Sequence, residues 1–316
     1  MERIRWIDFL RGIAMIGILI FHTECYYKEY HVTPYYIYTT NAIVLFYFIS
    51  GFLFSRQETF SLRHKLISIV RSLLVPYFVF TPIIAIIKAL IRHQEIRLEQ
   101  IINGQASWFI AALIVAEIIF SLSIFITNGK LKWLSIITLG CFALYWIIPF
   151  NVYNFWQWQD ALLALFFIYL GYVFYKHKQV INTFNKLLYS LLLLGFIIII
   201  KIYEYYLDLP MRNIAIENIP LFLIDCMVWL LFVISLIKHI PSSKMIEWTG
   251  RHSIIYYFLA GGIPILVSLI LNMLGFPHQN IWTLIIACVL VYLTATILVW
   301  IVYKVMPINL NKYIRI

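Results

Sequence analysis

The segment WIDFLRGIAMIGILIFH, residues 6–22, is apolar except for Asp8, Arg11 and His22. A run of this kind is long enough to form a helix embedded in lipid. Arg11 and His22 are eleven residues apart, so on a helix their side chains share one face, separated by about 16.5 Å along the axis. Polar side chains are costly in a membrane and usually serve a function. This pair is therefore the first candidate for a site, and its spacing favours a long substrate.

The composition of the whole chain indicates a polytopic membrane protein. Of its 316 residues, 63% are hydrophobic and only 12% are charged, with a mean hydropathy of +0.89. Soluble domains carry roughly a quarter charged residues. Asp8 and Arg11 interrupt the first apolar run and no small-residue cleavage site follows it, so we expect a retained helix and not a signal peptide. We expect one integral membrane domain over residues 1–316.

Apolar runs of membrane-spanning length predict an all-α bundle of about ten transmembrane helices. The second run is short and the third carries Pro76 and Pro82, so the ends of these two helices are the least defined. We find no internal repeat. The predicted helices cover residues 6–24, 41–55, 66–91, 107–127, 132–149, 159–175, 185–206, 218–238, 250–273 and 279–305.

The distribution of basic residues predicts the orientation of this bundle. If the N-terminus is cytoplasmic, then all but six of the 24 Lys and Arg residues fall on the cytoplasmic side, as the positive-inside rule requires. We therefore expect both termini in the cytoplasm, Arg11 toward the inner end of the first helix and His22 toward its outer end. The six basic residues on the opposite side are Lys28, Lys88, Arg92, Arg97, Lys201 and Arg212.

Charge and cysteine usage argue against two other kinds of site. The net charge of +10 is dispersed over short loops, so topology explains it and no nucleic acid partner is expected. No cysteine or carboxylate stands at metal-ligand spacing, and we expect no metal site. The four cysteines are Cys25, Cys141, Cys226 and Cys288. They are predicted to be unpaired, and the last three lie inside apolar runs.

Three carboxylates lie at membrane depth. Glu117 is near the middle of the fourth predicted helix and should face the interior, paired or protonated, in either a structural or a site role. For Asp225, in the eighth helix, we favour a structural pair. Asp8 precedes Arg11 by three residues, so the two can pair on one helix face and hold the guanidinium in position.

A basic cluster precedes and enters the third predicted helix, formed by Arg56, Arg63, Lys65 and Arg71. Attraction to anionic lipid headgroups explains most of it. The alternative is a seat for the phosphates of a cytoplasmic donor, for which Arg71 is the best candidate because it lies at the helix end.

Two aromatic stretches are predicted on the outer surface, CYYKEYHVTPYYIY (25–38) and YNFWQWQD (153–160). Aromatic residues at a membrane interface are usually anchors. Rings mixed with Gln157, Gln159 and Asp160 would also suit a sugar, whose faces stack on rings while its hydroxyls form hydrogen bonds.

The chain resembles the membrane acyltransferase-3 family, whose members are integral O-acyltransferases of surface polysaccharides and related glycans. The resemblance rests first on Arg11 and His22 within an Ile-Asp-Phe-Leu-Arg-Gly opening. Three further stretches agree with it: FISGFLFS (48–55), RSLLVPYF (71–78) and the pair Trp108-Phe109 that opens the fourth helix. It covers the whole chain, including the helix count.

The resemblance implies an enzyme of the bacterial cytoplasmic membrane with acyl-CoA, most simply acetyl-CoA, as co-substrate. The donor nucleotide would lie near Arg71 and Arg11, and His22 would be the catalytic base for a hydroxyl of an extracytoplasmic or lipid-linked glycan. Some members carry a fused SGNH-type domain, and nothing of that kind follows Ile316. We therefore expect either direct transfer or a separate extracytoplasmic transferase as partner.

Two other functions remain open from the sequence. Intramembrane Arg, His, Glu and Asp also occur in secondary transporters and flippases, although we see neither repeat halves nor paired Gly/Pro-broken helices. A non-catalytic membrane subunit of a polysaccharide assembly complex is the second alternative.

Overall fold

The chain is all-α, as predicted, in the part of it that a computed structural model describes: residues 4–27, 34–56, 60–93, 95–149, 152–177, 187–208, 214–237, 239–276 and 280–305. We number the α-helices in chain order: α1 Arg5–Tyr27, α2 Thr39–Ser55, α3 Leu62–Ile69, α4 Val75–Arg92, α5 Leu98–Ile102, α6 Trp108–Thr127, α7 Leu131–Ile147, α8 Trp158–Lys176, α9 Leu187–Leu207, α10 Ile219–Leu236, α11 Lys244–Arg251, α12 Ser253–Ala260, α13 Ile263–Met273 and α14 Ile281–Val305.

Seven helical units among the described residues are long and apolar enough to cross a membrane. The pair α12–α13, bent by 49°, provides an eighth unit, whereas α2 and α7 have 17 residues each and are shorter. Each predicted run coincides with one of these apolar units. Length alone supports seven or eight crossings, so the count of ten and the cytoplasmic termini stay predictions. The seven long units are α1, Leu62–Arg92, α6, Phe155–Lys176, α9, α10 and α14.

The ninth predicted helix, 250–273, is wrong as a single continuous helix. The chain breaks between Ala260 and Ile263. In addition, Arg251 is the last residue of a separate short helix, α11, and α12 begins only at Ser253. Gly261 and Gly262 at the break are poor helix formers, and Pro264 stands in the first turn of α13, where its missing N–H costs nothing. This Gly-Gly-x-Pro sequence could have predicted the break.

The third predicted helix continues through both of its prolines. A π-helical turn over Val70–Leu74 joins α3 to α4, and Val75 donates its N–H to the carbonyl of Val70. The wider turn lies just ahead of Pro76, which cannot donate a hydrogen bond and crowds the preceding turn. Leu62–Arg92 is therefore one span of 31 residues.

Burial separates central helices from helices that face lipid. In the most apolar window of α1, 61% of residues are buried within the protein, and in α6 67% are. The corresponding values are 11% for α9 and 22% for α14. Lipid is as apolar as their outward side chains, so these two helices form the periphery. The central helices α1 and α6 carry Arg11, His22, Trp108 and Glu117.

Glycines bring helix backbones into direct contact at two places. A Cβ at Gly51 of α2 would overlap the carbonyl of Ile168 in α8, and a Cβ at Gly171 of α8 would overlap the carbonyl of Phe48 in α2. The same reciprocal arrangement joins α1 to α11. A Cβ at Gly12 would overlap the carbonyl of Ile246, and one at Gly250 would overlap the carbonyl of Asp8. Small residues permit this close approach of helices in membranes.

A buried ion cluster ties α9 and α10 to α2. The Lys201 ammonium donates to Oδ2 of Asp225 at 2.7 Å, to Oε2 of Glu204 at 3.1 Å and to the carbonyl of Tyr36 at 2.7 Å. Asn41 also donates to Oδ2 of Asp225, at 2.8 Å. The structural pair expected for Asp225 is thus confirmed.

We predict that Gly51→Ala and Gly171→Ala each destabilise the protein by about 1–3 kcal/mol or more, because the new methyl must displace a backbone carbonyl. Gly140→Ala in α7 is the control, since nothing lies within 4 Å of an added Cβ there. Thermal unfolding in detergent measures the difference. Equal stability of the three variants would contradict the close packing of α2 on α8.

Candidate active site

Two cavities lie against α1 on the face shared by Arg11 and His22. The first, of about 780 Å³, is lined by His22, Ile18, Lys88 and Trp108 among others, and we call it the His22 cavity. The second, of about 450 Å³, is lined by Arg11, Met15, Lys65 and Glu117 among others, and we call it the Arg11 cavity. The helical face that the sequence predicted therefore fronts two spaces in succession.

The helix α1 runs without interruption from Arg5 to Tyr27. The residue spacing therefore converts to about 16.5 Å of axial separation between Arg11 and His22. Because the helix continues past Thr23, Glu24 lies off the His22 face, and its side chain is buried.

Aromatic and basic side chains surround His22. Its imidazole stacks on the ring of Tyr26 one turn later, with centroids 6.1 Å apart and planes 13° apart. The Lys88 ammonium lies 5.9 Å from the same Tyr26 ring, and Lys88 lines the same cavity as His22. Among the described residues, Lys88 forms no ion pair. The cavity thus combines the imidazole of His22, the indole of Trp108, the cations of Lys88 and Arg97 and the carboxylate of Glu95.

An ion pair crosses the wall of the Arg11 cavity. The Lys65 ammonium of α3 lies 2.8 Å from Oε2 of Glu117 in α6, and Ser50 of α2 donates to the other carboxylate oxygen. Glu117 is buried and paired, as expected. Lys65 also lies 3.8 Å from the centroid of the Phe54 ring. The cavity therefore holds Arg11 beside a cation whose charge a carboxylate already balances.

Asp8 forms an ion pair with an arginine of another helix, α11. Its Oδ2 lies 3.5 Å from Nε of Arg251 in α11, and Arg251 also pairs with Glu247 at 3.3 Å. This ion pair lies beside the glycine contact between α1 and α11. Asp8 therefore anchors α1 to α11, and a contact that holds the Arg11 guanidinium stays a prediction.

Arg71 lies on the π-helical turn and is exposed. Its neighbours Ser72 and Leu73 line the Arg11 cavity, whereas Arg71 is not among the lining residues. Of the basic cluster, Lys65 is the member that reaches the cavity. The structure thus brings Arg11, Lys65 and Glu117 together, brings His22 and Trp108 together, and leaves Arg71 outside both cavities.

In the aromatic stretch 153–160, the polar side chains form hydrogen bonds with one another and with the backbone. Asn154 donates to Oδ2 of Asp160 at 2.9 Å and to Oε1 of Gln157 at 3.1 Å, and it accepts from the backbone N–H of Gln159. These bonds cap the start of α8 and favour the structural interpretation over a sugar site. In the other stretch, residues 28–33 lie outside the described residues.

A sequence profile described as an acyltransferase domain, that of the acyltransferase-3 family, matches residues 4–304, nearly the whole chain. The chain belongs to the acyltransferase-3 family. No curated protein and no solved structure matches it. As an acyltransferase of this family, the chain is a membrane enzyme whose two cavities are the candidate places for its substrates.

Sequence reasoning missed Lys88 and Lys65 as cavity residues of this acyltransferase. From the sequence, Lys88 is one of the six basic residues expected on the outer side. The signal for a site is its position within the third apolar run, 66–91, because a cation in a membrane segment is as costly there as Arg11 is in the first run. Lys65 was assigned to the basic cluster, and only the packing of α3 on α6 shows its partner Glu117.

We predict that Lys65→Met destabilises this acyltransferase by about 3 kcal/mol, because it leaves the buried Glu117 carboxylate without its cation. The double variant Lys65→Met/Glu117→Gln should recover most of that loss, since no uncompensated charge remains. Thermal unfolding in detergent measures both, with Lys132→Met on the exposed side of α7 as control. Additive losses in the double variant would argue against the pair.

Proposed function

We propose that the protein is a membrane O-acyltransferase that moves an acyl group, acetyl in the simplest case, from cytoplasmic acyl-CoA to a hydroxyl of an extracytoplasmic or lipid-linked glycan. The observation that carries this proposal is the stacking of two cavities along α1. One cavity has a phosphate-binding type of side chain, Arg11, and the other has a base, His22. A donor with a nucleotide at one end and a thioester on a long thin arm matches that arrangement.

The Arg11 cavity is proposed as the donor side. A guanidinium offers paired N–H donors that match phosphate oxygens in two places at once. Ser68 and Ser72 line the same cavity and add hydroxyl groups. Arg71 is exposed and precedes Ser72 by one residue. We propose that it binds phosphates at the mouth of the cavity and not inside it.

The proposed orientation puts this end of the bundle in the cytoplasm. Three cations lie toward the same end of the bundle. Arg11 and Lys65 line the same cavity, and Arg251 pairs with Asp8, which is three residues before Arg11 on α1. Lys201 lies at the other end, where it binds the carbonyl of Tyr36. This grouping supports the predicted loop-charge asymmetry.

The His22 cavity is proposed as the place of reaction. The imidazole takes the proton from the acceptor hydroxyl while that oxygen attacks the thioester carbonyl, and the imidazolium then protonates the departing CoA sulfur. One C–O bond forms, one C–S bond breaks, and CoA leaves as free thiol. An imidazole has a proton affinity suited to both steps. Transfer through an acyl intermediate on a second protein uses the same first step.

Lys88 is proposed to stabilise the oxyanion that forms on the thioester carbonyl. Its ammonium shares the His22 cavity and the Tyr26 ring with the base. A cation without an ion-pair partner among the described residues is best compensated when negative charge develops beside it. The transition state creates such a charge.

We predict that His22→Ala and Arg11→Ala abolish transfer without lowering the amount of inserted protein. Arg11→Lys should also be poor, because a point charge does not replace a bidentate fork. His64→Ala and Arg63→Lys, both exposed on α3, are matched controls. Release of free thiol from acetyl-CoA by membranes, and mass spectrometry of surface glycans, measure the effect. Normal turnover in Arg11→Lys would contradict the donor-binding role.

The same assay separates the alternatives. A transporter or flippase releases no thiol. Among the described residues one apolar pair, α12–α13, is bent, whereas transporters of the repeat type carry broken helices in both halves. A non-catalytic subunit would keep glycan acylation in His22→Ala, while deletion of the whole protein abolishes it.

We predict that Lys88→Met lowers kcat by about 10²–10³-fold, the usual effect of removing one oxyanion donor, and changes the KM for acyl-CoA little. Lys88→Arg should retain part of the rate. Lys130→Met, exposed after α6, is the control. A higher KM with unchanged kcat would assign Lys88 to substrate binding instead.

A further inference from the structure

The two cavities meet at two aromatic side chains. Phe109 of α6 and Tyr257 of α12 are the only described residues that line both cavities. Their ring centroids lie 5.2 Å apart, and Phe109 is 3% exposed. The rings therefore stand between the space at Arg11 and the space at His22.

The order of lining residues along the helices places this pair at one level of the bundle. On α1, Met15 lines the Arg11 cavity and Ile18 lines the His22 cavity. On α6, Trp108 lines the His22 cavity and Leu113 lines the Arg11 cavity. Phe109 and Tyr257 thus divide two spaces stacked along the helix axes.

Phe109 is held by further rings. The centroid of Tyr47 lies 5.2 Å from that of Phe109, and the centroid of Phe46 lies 5.8 Å from it, both on α2. Tyr257 is on the last turn of α12, just before the bend at Gly261 and Gly262. Phe109 is therefore fixed in the core by other rings, whereas Tyr257 lies next to the break between α12 and α13.

We infer that Phe109 and Tyr257 form a constriction that selects small uncharged acyl groups on their way to His22. This inference rests on the proposed function, in which the nucleotide stays near Arg11 and the thioester reaches His22. The acyl group leads the pantetheine arm, so it reaches the rings first, and because the rings are in contact it has to push them apart. A longer chain needs more room there. A carboxylated acyl group such as succinyl also has to leave water among apolar side chains.

The first test measures the division without any catalytic turnover. The four native cysteines are replaced by alanine, and Ala85→Cys in the His22 cavity or Ser72→Cys in the Arg11 cavity is introduced. A membrane-impermeant thiol reagent is added to one face of sealed vesicles at a time. We expect Ala85→Cys to react from one face only and Ser72→Cys from the opposite face only. Adding Phe109→Ala should let each react from both faces.

The second test measures selection. Rates of thiol release from acetyl-, butyryl- and succinyl-CoA are compared in the native chain, in Phe109→Ala and in Phe125→Ala, an exposed position on the same helix. We expect Phe109→Ala to raise the butyryl-to-acetyl and succinyl-to-acetyl rate ratios by about tenfold or more, the discrimination a few methylenes provide in an apolar site. Phe125→Ala should leave both ratios unchanged.

The outcomes distinguish failure of this inference from failure of the proposed function. Reaction of both cysteines from the same face, or of either from both faces, in the presence of Phe109 overturns the constriction. Rate ratios in Phe109→Ala equal to those in Phe125→Ala overturn the selection. One-sided labelling in a chain that releases no thiol from any acyl-CoA overturns the proposed function and the selection that rests on it, and it leaves the division between the cavities standing.

Discussion

The close contact of α1 with α11 is the constraint on which the candidate site depends. Glycine at residues 12 and 250 lets the two backbones touch, and the Asp8–Arg251 ion pair lies beside that contact. Because α1 carries both Arg11 and His22, fixing this one helix fixes both ends of the site. The remaining central helices then determine what each side chain faces. The contact of α2 with α8 at Gly51 fixes a second wall of the Arg11 cavity in the same way, because Ser50 of α2 donates a hydrogen bond to Glu117 in that wall.

Buried charge follows a consistent pattern through the bundle. The Lys201 cluster and the Lys65–Glu117 pair join helices, and each cation there has a carboxylate within 3.1 Å. Charge buried in an apolar medium persists when it is compensated in this way. Lys88 departs from the pattern, because none of the described carboxylates pairs with it. Lys201 and Lys65 therefore join helices through carboxylates, whereas Lys88 lines the His22 cavity.

Hydropathy and spacing predicted most of the fold. Each of the ten predicted runs coincides with an apolar helical unit, because the length of an apolar run is a local property of the sequence. The shared face of Arg11 and His22 was predicted for the same reason. Partners distant in sequence were not predictable. The pairing of Asp8 with Arg251, the reach of Lys65 to Glu117 and the exposure of Arg71 depend on which helices pack together, and single-helix periodicity carries no information about that. The break before Pro264 is predictable from the local Gly-Gly-x-Pro sequence, because glycine and proline disfavour a continuous helix.

The contact between α1 and α11 also has a consequence for biogenesis. The first helix enters the membrane with Asp8 and Arg11 on it, but the partner arginine and the glycine at 250 are synthesised roughly three quarters of the chain later. At the usual rate of translation this delay is about 10–50 s. During that interval the first helix holds its charged face without its final neighbour. Assembly of the α1–α11 contact therefore waits for the last quarter of the polypeptide, and a chain interrupted before α11 inserts the first helix without the glycine and the arginine that fix its position.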